Sequence, residues 1–158
     1  MLEWLENTQL SVWVRTELWG WPLVLTLHVL GTALVIGFIF IICLRLLGLF
    51  ALFPYSALNR LFPVIWAALV LQLFTGFVLW MTKPAQYISD TAFVLKSLLV
   101  IVGIVLTRSF YRTILQEAPS WEKSGAISSR SITFVATTLL VWCGVIIASR
   151  LTAHLGSL

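Results

Sequence analysis

Apolar residues fill four stretches of the chain, 22–47, 61–81, 92–112 and 132–153, and polar residues collect between them. Each stretch is close to the ~20 residues that an α-helix needs to cross ~30 Å of hydrocarbon. The pattern predicts four spanning helices. Ahead of the first, Leu2, Trp4, Leu5, Leu10, Val12, Trp13 and Val14 are interleaved with Glu3, Glu6, Asn7, Gln9 and Arg15. Over residues 1–20 that mixture suits an amphipathic helix anchored on the lipid surface, with Trp19 and Trp21 at headgroup level and Pro22 in the first turn of the span. The expected fold is all-α: an integral membrane four-helix bundle with an N-terminal interfacial amphipathic helix, one membrane domain over 1–158.

The connections are short. Residues 48–59 contain Pro54, and Pro63 opens the second span, so the first two spans are expected to be antiparallel neighbours. The second connection ends at Ser89 and Asp90, either of which can cap the third helix. The third, 115–130, mixes Glu117, Pro119, Trp121, Glu122, Lys123, Ser124 and Gly125 and is expected to be a polar loop able to dock a soluble partner.

Composition agrees with a membrane class. Hydrophobic residues make up 60% of the chain and charged residues 10%, which excludes an ordinary water-soluble domain. Arg45, Arg60, Arg108, Arg112, Lys123 and Arg130 fall on one side of the spans. Arg15 and Lys83 fall on the other, beside Glu3, Glu6, Glu17 and Asp90. Basic flanks face the cytoplasm, so both termini are expected on the outer side. The net charge of +4 is then a topology signal and not a nucleic-acid footprint. Glu3 and Glu6, with no basic stretch ahead of the apolar run, predict that the first span is retained. Cys43 and Cys143 lie about half the hydrocarbon thickness apart, so buried thiols are expected in place of a disulfide.

Against this apolar background a polar layer stands out. His28 lies six residues after Pro22, Lys96 six after Asp90, and Arg150 near the exit of the fourth span. All three fall within ~5–10 Å of the outer interface. His154 follows Arg150 by one turn on the same face, and Gln72 lies deeper, at the bottom of the same layer. Gly31 and Thr32 follow His28 by three and four, and Thr75 and Gly76 follow Gln72 in the same way. Small residues at that spacing serve close helix packing or leave room for a flat cofactor. Lys96 and Arg150 also fit a snorkelling role at the headgroups, His154 an exposed tail residue, and His28 a buried side chain hydrogen-bonded to a neighbouring helix.

Two cations and two histidines without a carboxylate suit haem b, whose iron takes imidazole and whose propionates need positive partners. His28 and His154 are the candidate iron ligands, from facing helices or with His28 acting alone. Lys96 and Arg150 are the candidate propionate partners, and Gln72, Gly31 and Thr32 line the pocket. No acidic residue reaches the layer to act as a general base, so a stand-alone catalyst is not expected. Two other readings remain open. One is an accessory or structural subunit without a redox cofactor, and the other a copper or ion pathway through His28, Met81 and His154, which the fixed cations disfavour.

The segment Leu27-His28-Val29-Leu30-Gly31-Thr32-Ala33-Leu34-Val35-Ile36-Gly37 resembles the opening helix of the CopD-like superfamily, in which a histidine is followed by small residues and a later glycine. Phe93-Val94-Leu95-Lys96-Ser97-Leu98-Leu99-Val100 is similar to the lysine-bearing helix of the related HemJ-like proteins. Together they cover about a third of the chain. Val35 stands where those families carry tryptophan, and Leu44 precedes Arg45 where HemJ-type proteins have tyrosine and proline. The resemblance implies a haem-associated bundle of the bacterial inner membrane, with His28 and Lys96 matching the family histidine and lysine. Its expected partners are the lipid bilayer, a periplasmic redox protein or quinol, and further copies of the chain.

Overall fold

The computed structural model describes residues 2–50, 54–125 and 127–155, with side chains as far as Leu151. The elements in chain order are α1 (Glu3–Glu6), α2 (Gln9–Thr16), α3 (Gly20–Leu46), a 3-10 turn (Tyr55–Leu61), α4 (Phe62–Met81), α5 (Pro84–Ser89), α6 (Thr91–Ser124) and α7 (Ser129–Leu155). No strand occurs among the described residues. Among the described residues four segments are long and apolar enough to cross a membrane: α3, the 3-10 turn continued by α4, α6, and α7 as far as Leu151. The protein is a multi-pass helical membrane bundle. In hydrocarbon a helix satisfies its own backbone, which is why such a sequence folds into uninterrupted helices.

α3 packs along α4, α6 packs along α7, and α3 also touches α7, so the chain forms two antiparallel pairs joined through α3 and α7. The core occupies one half of the bundle. It joins Ile39 and Ile42 of α3, Ile65 and Leu69 of α4, Phe110 and Ile114 of α6, and Val135 of α7, all essentially sealed from the exterior. Higher up, Trp142 lies against α6, where Gly103 offers a bare backbone: a β-carbon there would come within 3.1 Å of the indole. The indole nitrogen donates to Thr107 Oγ1 at 3.1 Å, which satisfies a fully buried N–H.

α6 runs 34 residues, well past the expected end at 112. Phe110, Ile114, Ala118 and Trp121 recur at spacings of four, four and three and are buried. That face lies against the 3-10 turn, and Tyr55 meets Trp121 edge-on with ring centroids 5.9 Å apart. Residues 115–124 are therefore helix and not loop, because this apolar stripe outweighs the polar composition around it. Pro119 sits on the exposed side and costs one backbone hydrogen bond. The helix stops at Gly125, whose φ of 67° is the left-handed conformation that glycine adopts without strain.

The N-terminal segment also departs from a simple lipid anchor. α2 is docked on α3 and α4: Val14 is fully buried with Val24 and Val78, and Ser11 Oγ donates to the Met81 carbonyl at 3.3 Å. Gly20 permits the approach, since a β-carbon there would fall 2.6 Å from the Trp13 carbonyl oxygen and 2.8 Å from Val14 Cα. Trp4, Leu10 and Trp13 stay exposed on the other side, where an interfacial helix meets lipid. Both cysteines are free; Cys43 is buried, but Cys143 is exposed on the outer face of α7.

Gly20→Val is expected to lift α2 off the bundle, since the clash is with backbone and cannot be relieved by a rotamer change, at a cost of roughly 1–3 kcal/mol. Limited trypsin digestion at Arg15 in detergent should accelerate in the variant. An unchanged cleavage rate would show that α2 is not held by this contact.

Candidate functional site

The hollow half of the bundle lies toward the α2 end. There α4 and α6 diverge and leave a cleft of about 1410 Å³, half open to the exterior, with α5 at one end and the first turns of α3 along its side. Trp21, Phe77, Trp80 and Phe93 line it, as do His28, Gln72 and Lys96. The layer expected from depth therefore forms in part: three of its members, from three different spans, face one space.

His28 is held at both nitrogens. Its Nδ1 lies 3.0 Å from Thr75 Oγ1, and its Nε2 lies 3.2 Å from Gln72 Nε2. Gln72 Oε1 in turn accepts from Thr32 Oγ1 at 2.8 Å. Thr75 Oγ1 donates to the Leu71 carbonyl at 2.7 Å, as threonines in spanning helices do. With the Thr75 O–H given to the backbone, these contacts are met by Gln72 N–H donating to His28 Nε2 and His28 Nδ1–H donating to Thr75, while the single Thr32 proton is shared between Gln72 Oε1 and the His28 carbonyl at 2.9 Å. The imidazole is then the Nδ1–H tautomer, with the Nε2 lone pair toward the amide of Gln72. No buried side-chain nitrogen or oxygen among the described residues lacks a partner.

Two glycines make this clamp fit. A β-carbon at Gly76 would come within 3.0 Å of His28 Cε1, so the imidazole lies directly against the α4 backbone. A β-carbon at Gly31 would come within 3.2 Å of Gln72 Oε1 and 3.3 Å of the Ala68 carbonyl, so α4 lies equally close to α3. Gly31 and Thr32 thus shape and orient the site from behind and do not line the cavity.

The charged groups are unevenly placed. Lys96 is half-buried in the cleft wall, and no ion pair to it forms among the described residues. Arg150 is exposed and absent from the lining, while its neighbour Ser149 reaches the cavity. The side chain of His154 lies outside the described residues. Three lining groups were not among the candidate site residues: Arg15, which comes in on α2, Lys83, which precedes α5, and Tyr87 on α5. Contrary to the expectation that no acidic residue reaches the layer, Asp90 lines the same cleft, and it caps α6 by accepting from the Ala92 N–H at 2.9 Å. Partial burial, and then the Asp90 carboxylate, pushes the Tyr87 hydroxyl above the usual phenol range, so it remains a neutral donor at the rim. Among the described residues no three of His, Cys, Asp and Glu gather at metal-binding distance.

The His28–Thr75 bond ties α3 to α4. A double-mutant cycle of His28→Ala and Thr75→Val, read as unfolding free energy in detergent or bicelles, should give a coupling of about 0.6 kcal/mol and at most ~1.7 kcal/mol, the span seen for hydrogen bonds between membrane helices. Additive single effects would show that the two side chains do not interact.

The chain matches no protein-family model, no curated protein and no solved structure, so its function has to be argued from this geometry.

Proposed function

We propose that the cavity is a haem b site and that the protein is a b-type cytochrome of the bacterial inner membrane, exchanging electrons on the periplasmic side with a redox protein or quinol. One observation supports this reading above the others: His28 borders a large cleft with aromatic walls, and its Nδ1 lies 3.0 Å from Thr75 Oγ1, an orienting partner that leaves only the Gln72 amide on Nε2. Imidazoles that ligate metals through one nitrogen are oriented in this way by an acceptor on the other.

The residues present fit the group. His28 offers Nε2, whose present partner is a neutral side-chain amide at 3.2 Å, an interaction weak enough to be exchanged for a ligand bond. Trp21, Phe77, Trp80 and Phe93 supply apolar walls for a flat ring system. Lys96 supplies a positive charge for a propionate, which also answers the cost of leaving a cation in the bundle without a carboxylate. Gly31 and Thr32 act through Gln72, and Gly76 through the imidazole. When bound, haem supplies one-electron chemistry at its iron. The assignment rests on His28 alone as ligand, with Arg150 outside the cavity. The periplasmic placement follows the asymmetry of basic flanks.

A cofactor-free accessory subunit is the competing reading, favoured by the complete hydrogen bonding of His28 and Gln72. The visible spectrum separates the two. Protein purified in detergent after haem-replete expression should show a Soret band near one haem per chain that shifts on dithionite reduction. His28→Ala should abolish it and Gln72→Leu should retain it. A colourless wild type would remove the haem reading, and a His28→Ala variant with an unaltered spectrum would remove His28 as the ligand.

A further inference from the structure

Arg15 and Lys83 are the unexpected members of the cavity wall. They arrive from separate elements, α2 and the turn before α5, and both line the mouth at the α2 end. Neither is placed there by a spanning helix. Arg15 depends on the docking of α2 through Val14, Ser11 and Gly20, a contact with no room for adjustment. One arm of its guanidinium donates to the Glu6 carbonyl, which steadies the side chain, and a guanidinium carries five donors in all. Asp90 is the one carboxylate in the lining, and one of its oxygens is engaged at the α6 cap. The mouth therefore carries two cations against one anion, above aromatic walls, with Lys96 further along the same cavity.

We propose that Arg15 and Lys83 form an anion-binding collar that selects amphipathic ligands bearing carboxylates, and that docked α2 is part of the binding site as well as a lipid-surface helix. This rests on the haem reading, in which the carboxylates are the propionates. The collar takes the place that depth alone suggested for Arg150. Arginine can grip a carboxylate through two parallel N–H bonds and lysine through a point charge, so the pair discriminates a charged carboxylate from its ester.

The test compares haem b with its dimethyl ester, each titrated into full-length protein in detergent and followed by the Soret absorbance. Wild type is expected to bind the ester about tenfold or more weaker than haem b, a factor that one lost charge-assisted contact can produce. The double variant Arg15→Gln/Lys83→Gln should lose that factor for haem b, keep the wild-type affinity for the ester, and regain discrimination as Arg15→Lys/Lys83→Arg. Equal binding of haem b and ester by wild type would overturn the collar while leaving the haem site standing. A double variant with unchanged haem affinity would overturn it too, and a parallel loss for both ligands would reduce these residues to a structural role. Binding of neither ligand by wild type would remove the haem reading and the collar together.

Discussion

Inside hydrocarbon a polar side chain has no water to fall back on, and the bundle is organised around how it meets that constraint at His28. The imidazole cannot reach the headgroups, so α4 must come close enough to supply Thr75 on one nitrogen and Gln72 on the other. Gly76 and Gly31 are the two positions of this pair where a β-carbon would crowd its partner, at 3.0 Å from the imidazole and 3.2 Å from Gln72 Oε1. Thr32 then completes the valence of Gln72. Four polar residues on two helices thus act as one unit, and the α3–α4 pair is set by it.

The same pairing explains why the bundle is solid at one end and hollow at the other. Large aliphatic and aromatic side chains from all four spans meet around Ile42, Ile65 and Phe110. Toward α2 the corresponding volume on α4 and α6 is not filled, and α2 and α5 cover the gap from the side of the interface. A cavity with aromatic walls, a fixed imidazole and unmatched positive charge is a poor arrangement for stability alone. It is a good one for an amphipathic anion.

The four spans were legible because apolar length is a direct consequence of bilayer thickness, and depth counted from helix starts puts His28, Gln72 and Lys96 in one layer, where all three line the same cleft. Direction around a helix was harder to read. α7 is apolar on nearly every side, so nothing in its pattern tells which way Arg150 points, and it faces outward. Cys143 went astray for the same reason. The helical extension 113–124 was hidden by its polar composition, although the spacing of Phe110, Ile114, Ala118 and Trp121 carries the signal. Arg15 could not have been assigned to the site from its own segment, because what places it is the Gly20 contact between α2 and α3. Whether residues pair across a bundle depends on such close approaches, and single-helix periodicity does not contain them.

The central claim is that His28 is a neutral imidazole clamped through Nδ1–H, with its Nε2 lone pair accepting from the Gln72 amide, the contact that a ligand would have to replace. ¹⁵N NMR of histidine-labelled, haem-free protein in a His154→Gln background, where a single imidazole remains, reads this directly. The account requires a protonated Nδ1 and an unprotonated Nε2. An Nε2–H tautomer would reverse the hydrogen-bond chain through Gln72 and Thr75, an imidazolium would reverse its Gln72 end, and either would contradict the account.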